Sequence, residues 1–233
     1  MARDVAGCDE SMRGPVANAR SPHQIPGSSR ATLLGVQRVL DIAVALPASI
    51  VAVIPSVLIA AAIKATSRGP VLFTQERVGH DGEPFRIYKF RTMRDGTADE
   101  LAGDSDRYAE YQSNGFKLLP DDPHITMIGR WLRRTSVDEL PQLVNVFRGQ
   151  MSIVGIRPLL AEELALRPAY DQALYRQMRP GVTGLWQVEG RSTLATDDRL
   201  DLDRRYLETW SPLSDVTIML RTPRALLRTS HAH

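Results

Sequence analysis

The run AVALPASIVAVIPSVLIAAAI, residues 43–63, decides the architecture of this chain, because its 21 residues carry no charge. A helix rises about 1.5 Å per residue, so this run covers about 30 Å, the thickness of a hydrocarbon core. The composition therefore predicts a membrane helix. The charged leader before the run and the run itself are both too long for a cleaved signal peptide.

Two features oppose a simple span. Pro55 lies near the middle of the run, where it removes a backbone hydrogen bond and forces a kink. Positive charge flanks both ends, with Arg38 before the run and Lys64 and Arg68 after it, so the charge rule places both ends in the cytoplasm. A re-entrant helix that bends at Pro55 and returns to the same face satisfies both features. A straight, tilted span that tolerates its proline is the alternative.

The rest of the chain divides around this run. Residues 1–34 are rich in Gly, Pro, Ser, Ala and Arg and are predicted to form a disordered tail. Residues 35–66 form the membrane helix, and residues 67–233 form a catalytic domain on the cytosolic face with membrane-associated helices. The single cysteine, Cys8, allows no intramolecular disulfide, which fits a cytosolic location.

The predicted fold class is α/β, mostly α. Two β-rich runs flank residues 80–83, where Asp81-Gly82 predicts a hairpin. In the last apolar stretch, residues 215–228, apolar residues alternate with arginines. This pattern is typical of an amphipathic helix in a headgroup layer, although an ordinary helix packed on the core has the same pattern. Helical spacing predicts helices over residues 125–134, 159–179, 197–210 and 215–228, with partial helix over 97–116.

The segment RRTSVDELPQL, residues 133–143, is the strongest candidate for chemistry. Ser136 and Glu139 have the spacing of a capping box, which predicts that a helix begins here with Asp138 and Glu139 in its first turn. Acids in a first turn need no function. These two, however, lie beside Arg133, and a strand-like run downstream ends in Arg157. Arginine binds phosphate, a carboxylate can attack phosphorus, and two acids near a diphosphate suit Mg²⁺. For Arg157 alone, an ordinary ion pair is the alternative.

In order along the chain, eight motifs resemble the bacterial sugar transferase family, the small monotopic phosphoglycosyl transferases that act on polyprenyl phosphate. The resemblance covers residues 37–228. The motifs are RVLD at 38–41, TSRGPV at 66–71, QERVG at 75–79, FRIYKFRTM at 85–93, SVDELPQL at 136–143, MSIVGIRPLL at 151–160, RPGVTGLWQV at 179–188 and WS at 210–211.

The resemblance implies a reaction. Asp138 is the nucleophile that attacks the β-phosphate of a UDP-sugar, UMP leaves, and polyprenyl (undecaprenyl) phosphate then takes the phosphosugar to give a polyprenyl diphosphate sugar. Glu139 is the partner of Asp138, and Mg²⁺ is required and held in part by Asp138. The reaction initiates assembly of a glycoconjugate such as an exopolysaccharide, an O-antigen or a glycoprotein glycan.

The resemblance also implies ligands and a location. Lys89, Arg133 and Arg157 contact substrate phosphate, and Pro55 breaks the membrane helix so that the protein is monotopic on the cytoplasmic face of the bacterial inner membrane. One departure concerns Ile156, which stands where the family often has proline and is expected to loosen the loop that presents Arg157.

Three alternatives come from other classes. A membrane-anchored nucleic-acid-binding protein needs a basic face, but the net charge is only +2 and acids interleave with the arginines, so no nucleic acid is expected. A non-catalytic scaffold of a glycan assembly complex has no need of the intact acidic pair. A metal-dependent phosphatase has no need of a membrane hairpin. Sugar specificity is expected in residues 94–120 and after Gly184, including Arg191. No oligomeric state is predicted, and a homodimer is compatible with the sequence.

Overall fold

The computed structural model describes residues 27–116, 122–190 and 196–229. The predicted tail up to residue 26, with Cys8, and also Arg191 lie outside these ranges. The described chain is mostly helical, as predicted, with two small two-stranded sheets. Its elements are α1 (Gly27–Thr66), β1 (Leu72–Val78), β2 (Pro84–Phe90), α2 (Thr97–Gly103), α3 (Ser105–Ser113), α4 (Met127–Thr135), a 3-10 helix (Val137–Gln142), α5 (Leu143–Phe147), β3 (Ser152–Val154), α6 (Ala161–Ala165), α7 (Ala169–Arg176), β4 (Gly181–Thr183), α8 (Leu185–Glu189), α9 (Thr196–Thr209) and α10 (Pro212–Thr229).

The apolar run lies within α1, a single helix of 40 residues. The helix begins at Gly27, so residues 27–34, which the sequence places in the tail, form its first turns. It continues through Pro47 and Pro55, and the predicted helix-break-helix is therefore not seen as an interruption of secondary structure. The reason is that a proline deletes one backbone hydrogen bond and leaves those of its neighbours in place.

Both ends of α1 pack on the same globular body. Near the N-terminal end, Leu33 and Leu34 pack against the main hydrophobic cluster, in which Ala45, at the middle of the helix, is buried. Towards the C-terminal end, Ile59 and Ile63 pack with Phe90 and Leu132 in a second cluster. Between these contacts the helix is bare: its most apolar window has a mean hydropathy of 2.5, and only 11% of that window is buried. An apolar surface of this size on a soluble protein would be unfavourable in water, which indicates membrane association.

Polar contacts fasten the first half of α1 to the body. The Asp41 carboxylate accepts hydrogen bonds from the Ser152 hydroxyl and the Ile153 backbone N–H, both at 2.7 Å. One turn earlier, the Gln37 amide donates to the Asp215 carboxylate at 3.0 Å. Gln37, Asp41 and Asp215 are fully buried. Buried polar groups need such partners, so these bonds fix the rotation of α1 against β3 and α10.

The predicted hairpin is confirmed. Strands β1 and β2 pair antiparallel, from Leu72 opposite Phe90 to Val78 opposite Pro84. The tight turn between them has positive φ at Asp81 (56°) and Gly82 (83°), and the Glu83 N–H donates to the His80 carbonyl. Two consecutive left-handed residues are the requirement of a type I′ turn, which Asp-Gly meets.

A second, parallel sheet holds the loop that precedes Arg157. Strands β3 and β4 pair through Ser152 with Gly181 and Val154 with Thr183. Just beyond β3, the backbones approach so closely that a Cβ on Gly155 would lie 2.6 Å from the Gly181 nitrogen, and one on Gly181 would lie 2.0 Å from the Gly155 nitrogen. Only glycine fits at these two positions, and the chain leaves β3 directly towards the site.

The structure divides one predicted helix in two and shows two distinct faces on another. The helix predicted over residues 159–179 is two helices, α6 and α7, because Pro168 lacks an N–H and disfavours helical backbone in the residue before it. Helix α10 has the two faces that its sequence indicates. Ile218 and Ala225 are buried, whereas Leu213 and Leu220 are exposed. The helix is therefore packed on the core and also presents an apolar outer face.

Candidate active site

The acidic pair lies on the 3-10 helix Val137–Gln142, hereafter the dyad helix, and the predicted capping box is wrong. Ser136 has a left-handed backbone (φ 56°) that closes α4, and its side chain makes no capping hydrogen bond. The Glu139 side chain instead bonds Lys89, 50 residues away in sequence. A 3-10 helix has three residues per turn, so the consecutive carboxylates of Asp138 and Glu139 leave the backbone in different directions.

The dyad helix rests on the membrane helix. Val137 and Leu140, which flank the acidic pair, pack against the cluster that contains Ile59 and Ile63 of α1. The residues on either side of the pair are thus anchored in apolar packing, and the carboxylates are presented from a fixed backbone.

Glu139 faces a cleft and is paired there. The Lys89 ammonium, on β2, lies 2.6 Å from the nearer Glu139 carboxylate oxygen, and the Glu139 side chain is 27% exposed. A charge-assisted contact of this length orients both side chains. Because Lys89 also borders the cleft, its charge is available to an anionic ligand.

Asp138 is buried, with 8% of its surface exposed. Burial, and then the neighbouring charge of Glu139, raise the pKa of the Asp138 carboxyl to about 6, against the opposing effect of Lys89 and Arg133. The carboxylate is therefore ionised above about pH 6, as the sequence predicts for neutral pH, but burial makes its charge unfavourable. A buried, perturbed carboxyl beside a cleft is typical of a functional site.

Arg133, near the end of α4, is half-buried and interacts electrostatically with Asp138. Its Nε donates to the Thr92 hydroxyl at 2.9 Å. Burial lowers the pKa of the Arg133 guanidinium, and the charge of Asp138 raises it. Among the described residues, the set that lines the cleft includes neither Arg133 nor Asp138, although Glu139, next to Asp138, belongs to it. The charge of Arg133 favours the ionised form of Asp138.

The structure brings three of the predicted residues, Lys89, Glu139 and Arg157, together around one cleft. Pro55 lies elsewhere, on the exposed part of α1. The cleft also contains residues to which the sequence reasoning gave no role: Arg77, Gln142 and Gln187. Arg77 and Gln187 belong to the motifs QERVG and RPGVTGLWQV, so the motifs themselves were a signal.

The donor set of the pair suits magnesium. Mg²⁺ takes one or two protein carboxylates and completes its shell with water and substrate phosphate. Asp138 and Glu139 supply two carboxylates, and the raised pKa of Asp138 marks a position where a cation would relieve an unfavourable charge. The part of the chain that the structure describes contains no group of three or more His, Cys, Asp or Glu that could hold a metal alone.

Comparison with known proteins decides the family. The family model described as bacterial sugar transferase matches residues 32–229. The chain belongs to the bacterial sugar transferase family. This sugar transferase is 37% identical over 221 residues to exopolysaccharide production protein ExoY of Rhizobium meliloti, covering 91% of this chain and 95% of that protein.

Two longer relatives carry names that describe a reaction. Undecaprenyl-phosphate galactose phosphotransferase of Salmonella typhimurium is 41% identical over 169 residues, which is 71% of this chain and 35% of that protein. Undecaprenyl-phosphate glucose phosphotransferase of Komagataeibacter xylinus is 41% identical over 176 residues, 71% of this chain and 31% of that protein. The sugar transferase thus matches about a third of each longer relative and nearly all of the first.

Proposed function

We propose that this enzyme, a polyprenyl-phosphate phosphoglycosyl transferase, moves a sugar-1-phosphate from a UDP-sugar to undecaprenyl phosphate, releasing UMP. The observation that carries the proposal is the buried Asp138 carboxylate, with its raised pKa, beside a cleft lined by Lys89 and Arg157. The names of the relatives support the lipid acceptor and suggest that the product initiates an exopolysaccharide or a similar glycoconjugate.

Asp138 acts as the nucleophile in this proposal. A carboxylate oxygen attacks the β-phosphorus of the donor, the bond from that phosphorus to the bridging oxygen breaks, and UMP leaves with the electron pair. A phosphate oxygen of the lipid then attacks the same phosphorus, and the bond to Asp138 breaks, which restores the carboxylate. Forming the aspartyl phosphate removes an anion from a buried position, so the cost of burying that anion favours the first step.

The charged residues around the cleft have roles in binding the diphosphate and in preparing Asp138. Lys89 and Arg157 would bind the donor diphosphate in the cleft, while the charge of Arg133 favours the ionised form of Asp138. Glu139, fixed by Lys89, is placed to orient Asp138 or to accept a proton from the incoming lipid phosphate. Asp138 and Glu139 would hold Mg²⁺, which when bound neutralises diphosphate charge so that an anionic nucleophile can approach.

The packing of α1 supports a monotopic arrangement. A helix that spans a bilayer places its two ends on opposite sides, yet Ala45 and Ile63, near the two ends of the apolar run, both pack on the same body. The bare face of the helix between them would lie in the lipid, with the cleft on the cytoplasmic face of the inner membrane.

The test uses the full chain in lipid nanodiscs with a panel of UDP-sugars and Mg²⁺, with and without undecaprenyl phosphate. Without lipid, one accepted donor should give one equivalent of UMP per enzyme, and the protein mass should rise by one phosphosugar. Turnover with lipid but neither burst nor adduct would favour direct transfer in a ternary complex. Failure to release UMP from any donor with lipid present would refute the proposed reaction.

A further inference from the structure

Glu163, on α6, lies between two arginines of the cleft. One carboxylate oxygen is 3.6 Å from an Arg157 terminal nitrogen, and the other is 3.7 Å from an Arg77 terminal nitrogen. Only 13% of the Glu163 side chain is exposed, so both contacts are shielded from water. A shielded carboxylate that bridges two guanidinium groups determines where both can stand.

The two arginines repel one another. Burial, and then the positive charge of Arg157, lower the pKa of Arg77 to about 10, and Glu163 acts in the opposite direction. Arg77 cannot move away, because it donates to the Pro158 carbonyl at 3.1 Å and to the Gln75 side chain at 2.6 Å. Arg157 is the more exposed of the two, so without the carboxylate it is the one that would swing out to solvent.

The loop that carries Arg157 is fastened to the same place. Besides the bond from Arg77 to Pro158, the Val78 N–H donates to the Leu159 carbonyl at 2.9 Å, and the Leu160 N–H donates to Glu163 at 3.4 Å. Just before the loop, Ile156 is buried. These bonds hold the loop to the end of β1. Ile156, in place of proline, was expected to loosen this same loop.

The contact between Arg157 and Glu163 has a length that suits a role in binding. At 3.6 Å it exceeds a normal hydrogen bond, so the carboxylate attracts the guanidinium without occupying its N–H donors. Those donors can still turn to an oxyanion in the cleft, which Lys89 also lines.

We propose that Glu163 and Arg77 are positioning residues that hold the Arg157 guanidinium at the cleft for the donor diphosphate. This proposal rests on the proposed function and adds two residues to it. Neither residue contacts the reacting atoms: Arg77 fixes the loop backbone, and Glu163 offsets the repulsion between the two arginines. Their effect on the reaction therefore passes through Arg157.

A double-mutant cycle tests this dependence, with the lipid-free UMP burst rate at limiting UDP-sugar as the readout. Glu163→Gln keeps the shape and removes the charge, and it should slow the burst about tenfold in the wild-type background but less than about twofold in Arg157→Ala. It should also change the same parameter, KM or the burst rate constant, that Arg157→Ala changes. Glu163→Asp retains the charge and should lose less than Glu163→Gln.

Several results would overturn the proposal. If the losses from Glu163→Gln and Arg157→Ala multiply, Glu163 does not act through Arg157. If Glu163→Gln is as active as wild type, or more active than Glu163→Asp, charge is not what matters. Should Glu163→Gln fail to fold, Arg77→Lys enters the same cycle with the same expectation. The matched control is Glu162→Gln, whose carboxylate contacts the Tyr108 hydroxyl and not the cleft.

The two proposals fail in different ways. If Arg157→Ala itself gives a wild-type burst, Arg157 does not bind the donor and the positioning role is refuted. The burst and the adduct would still support the proposed reaction. If wild-type enzyme with lipid releases no UMP, the reaction is at fault.

Discussion

Replacing Asp138 with asparagine should abolish the burst and, unusually for a buried charged residue, stabilise the fold. Asparagine keeps the size of the side chain and resembles the protonated acid. A folded-state pKa of about 6 against an ordinary value of 3.8 means that ionised Asp138 costs the folded state about 3 kcal/mol, at about 1.36 kcal/mol per unit of pKa.

The sign of this effect depends on pH. Well above pH 6 the group is ionised in both states and only the folded state bears the cost, so Asp138→Asn should raise the free energy of unfolding by up to about 3 kcal/mol. The cost shrinks as the pH falls through 6 and is gone below the unfolded pKa of about 3.8, where wild type is protonated in both states. The gain should therefore disappear in acid.

The assay measures denaturant unfolding in matched detergent near pH 7.5 and near pH 4, together with the lipid-free UMP burst and the adduct mass. Asp99→Asn, an exposed acid on α2, is the control and should change none of these. A loss of stability in Asp138→Asn near pH 7.5 would refute the reasoning, because it would mean that Asp138 is chiefly a structural partner of Lys89 and Arg133. A normal burst would show that Asp138 is not the nucleophile.

Three further outcomes are expected. The burst rate at limiting donor and limiting Mg²⁺ should fall as Asp138 is protonated below pH 6, by about tenfold near pH 5, and a rate that stays flat to pH 5 would contradict the raised pKa. Arg157→Ala should slow the burst by about ten- to more than a hundredfold through the loss of about 1.5–3 kcal/mol of charge-assisted bonding, and near-normal turnover would make this arginine structural. With Cys8 removed, cysteines placed at 35 and 70 should both remain unlabelled by an impermeant reagent in intact cells. Labelling of only the N-terminal site would show that the helix spans the membrane. Pro55→Leu should shift the helix towards spanning.

Much of the fold was predictable because its signals are local. The uncharged run, the Asp81-Gly82 turn and the apolar spacing of α4 each depend on residues close in sequence, and all three appear in the structure. The capping box failed for the opposite reason. Its pattern is local, but Glu139 pairs with Lys89 on β2, and Ser136 is the left-handed residue that ends α4.

The residues of the site were likewise predictable only in part. Lys89, Glu139 and Arg157 were predicted from a resemblance that covers most of the chain, and the structure brings them to one cleft. Arg77 had no signal beyond its place in the QERVG motif, because what distinguishes it is its burial against a loop some 80 residues away in the chain. Neither helical nor strand periodicity encodes a contact of that kind.

The seating of the dyad helix on α1 limits how this enzyme can be divided. A fragment that begins at residue 67 would lose Ile59 and Ile63, and with them the apolar surface beneath Val137 and Leu140. It would also lose Asp41, which holds β3. The membrane helix is therefore not a modular tether that could be exchanged for a soluble tag or an unrelated anchor. Its Ile59 and Ile63 support the helix that carries the acidic pair, so a graft would have to preserve these side chains as faithfully as the acids themselves.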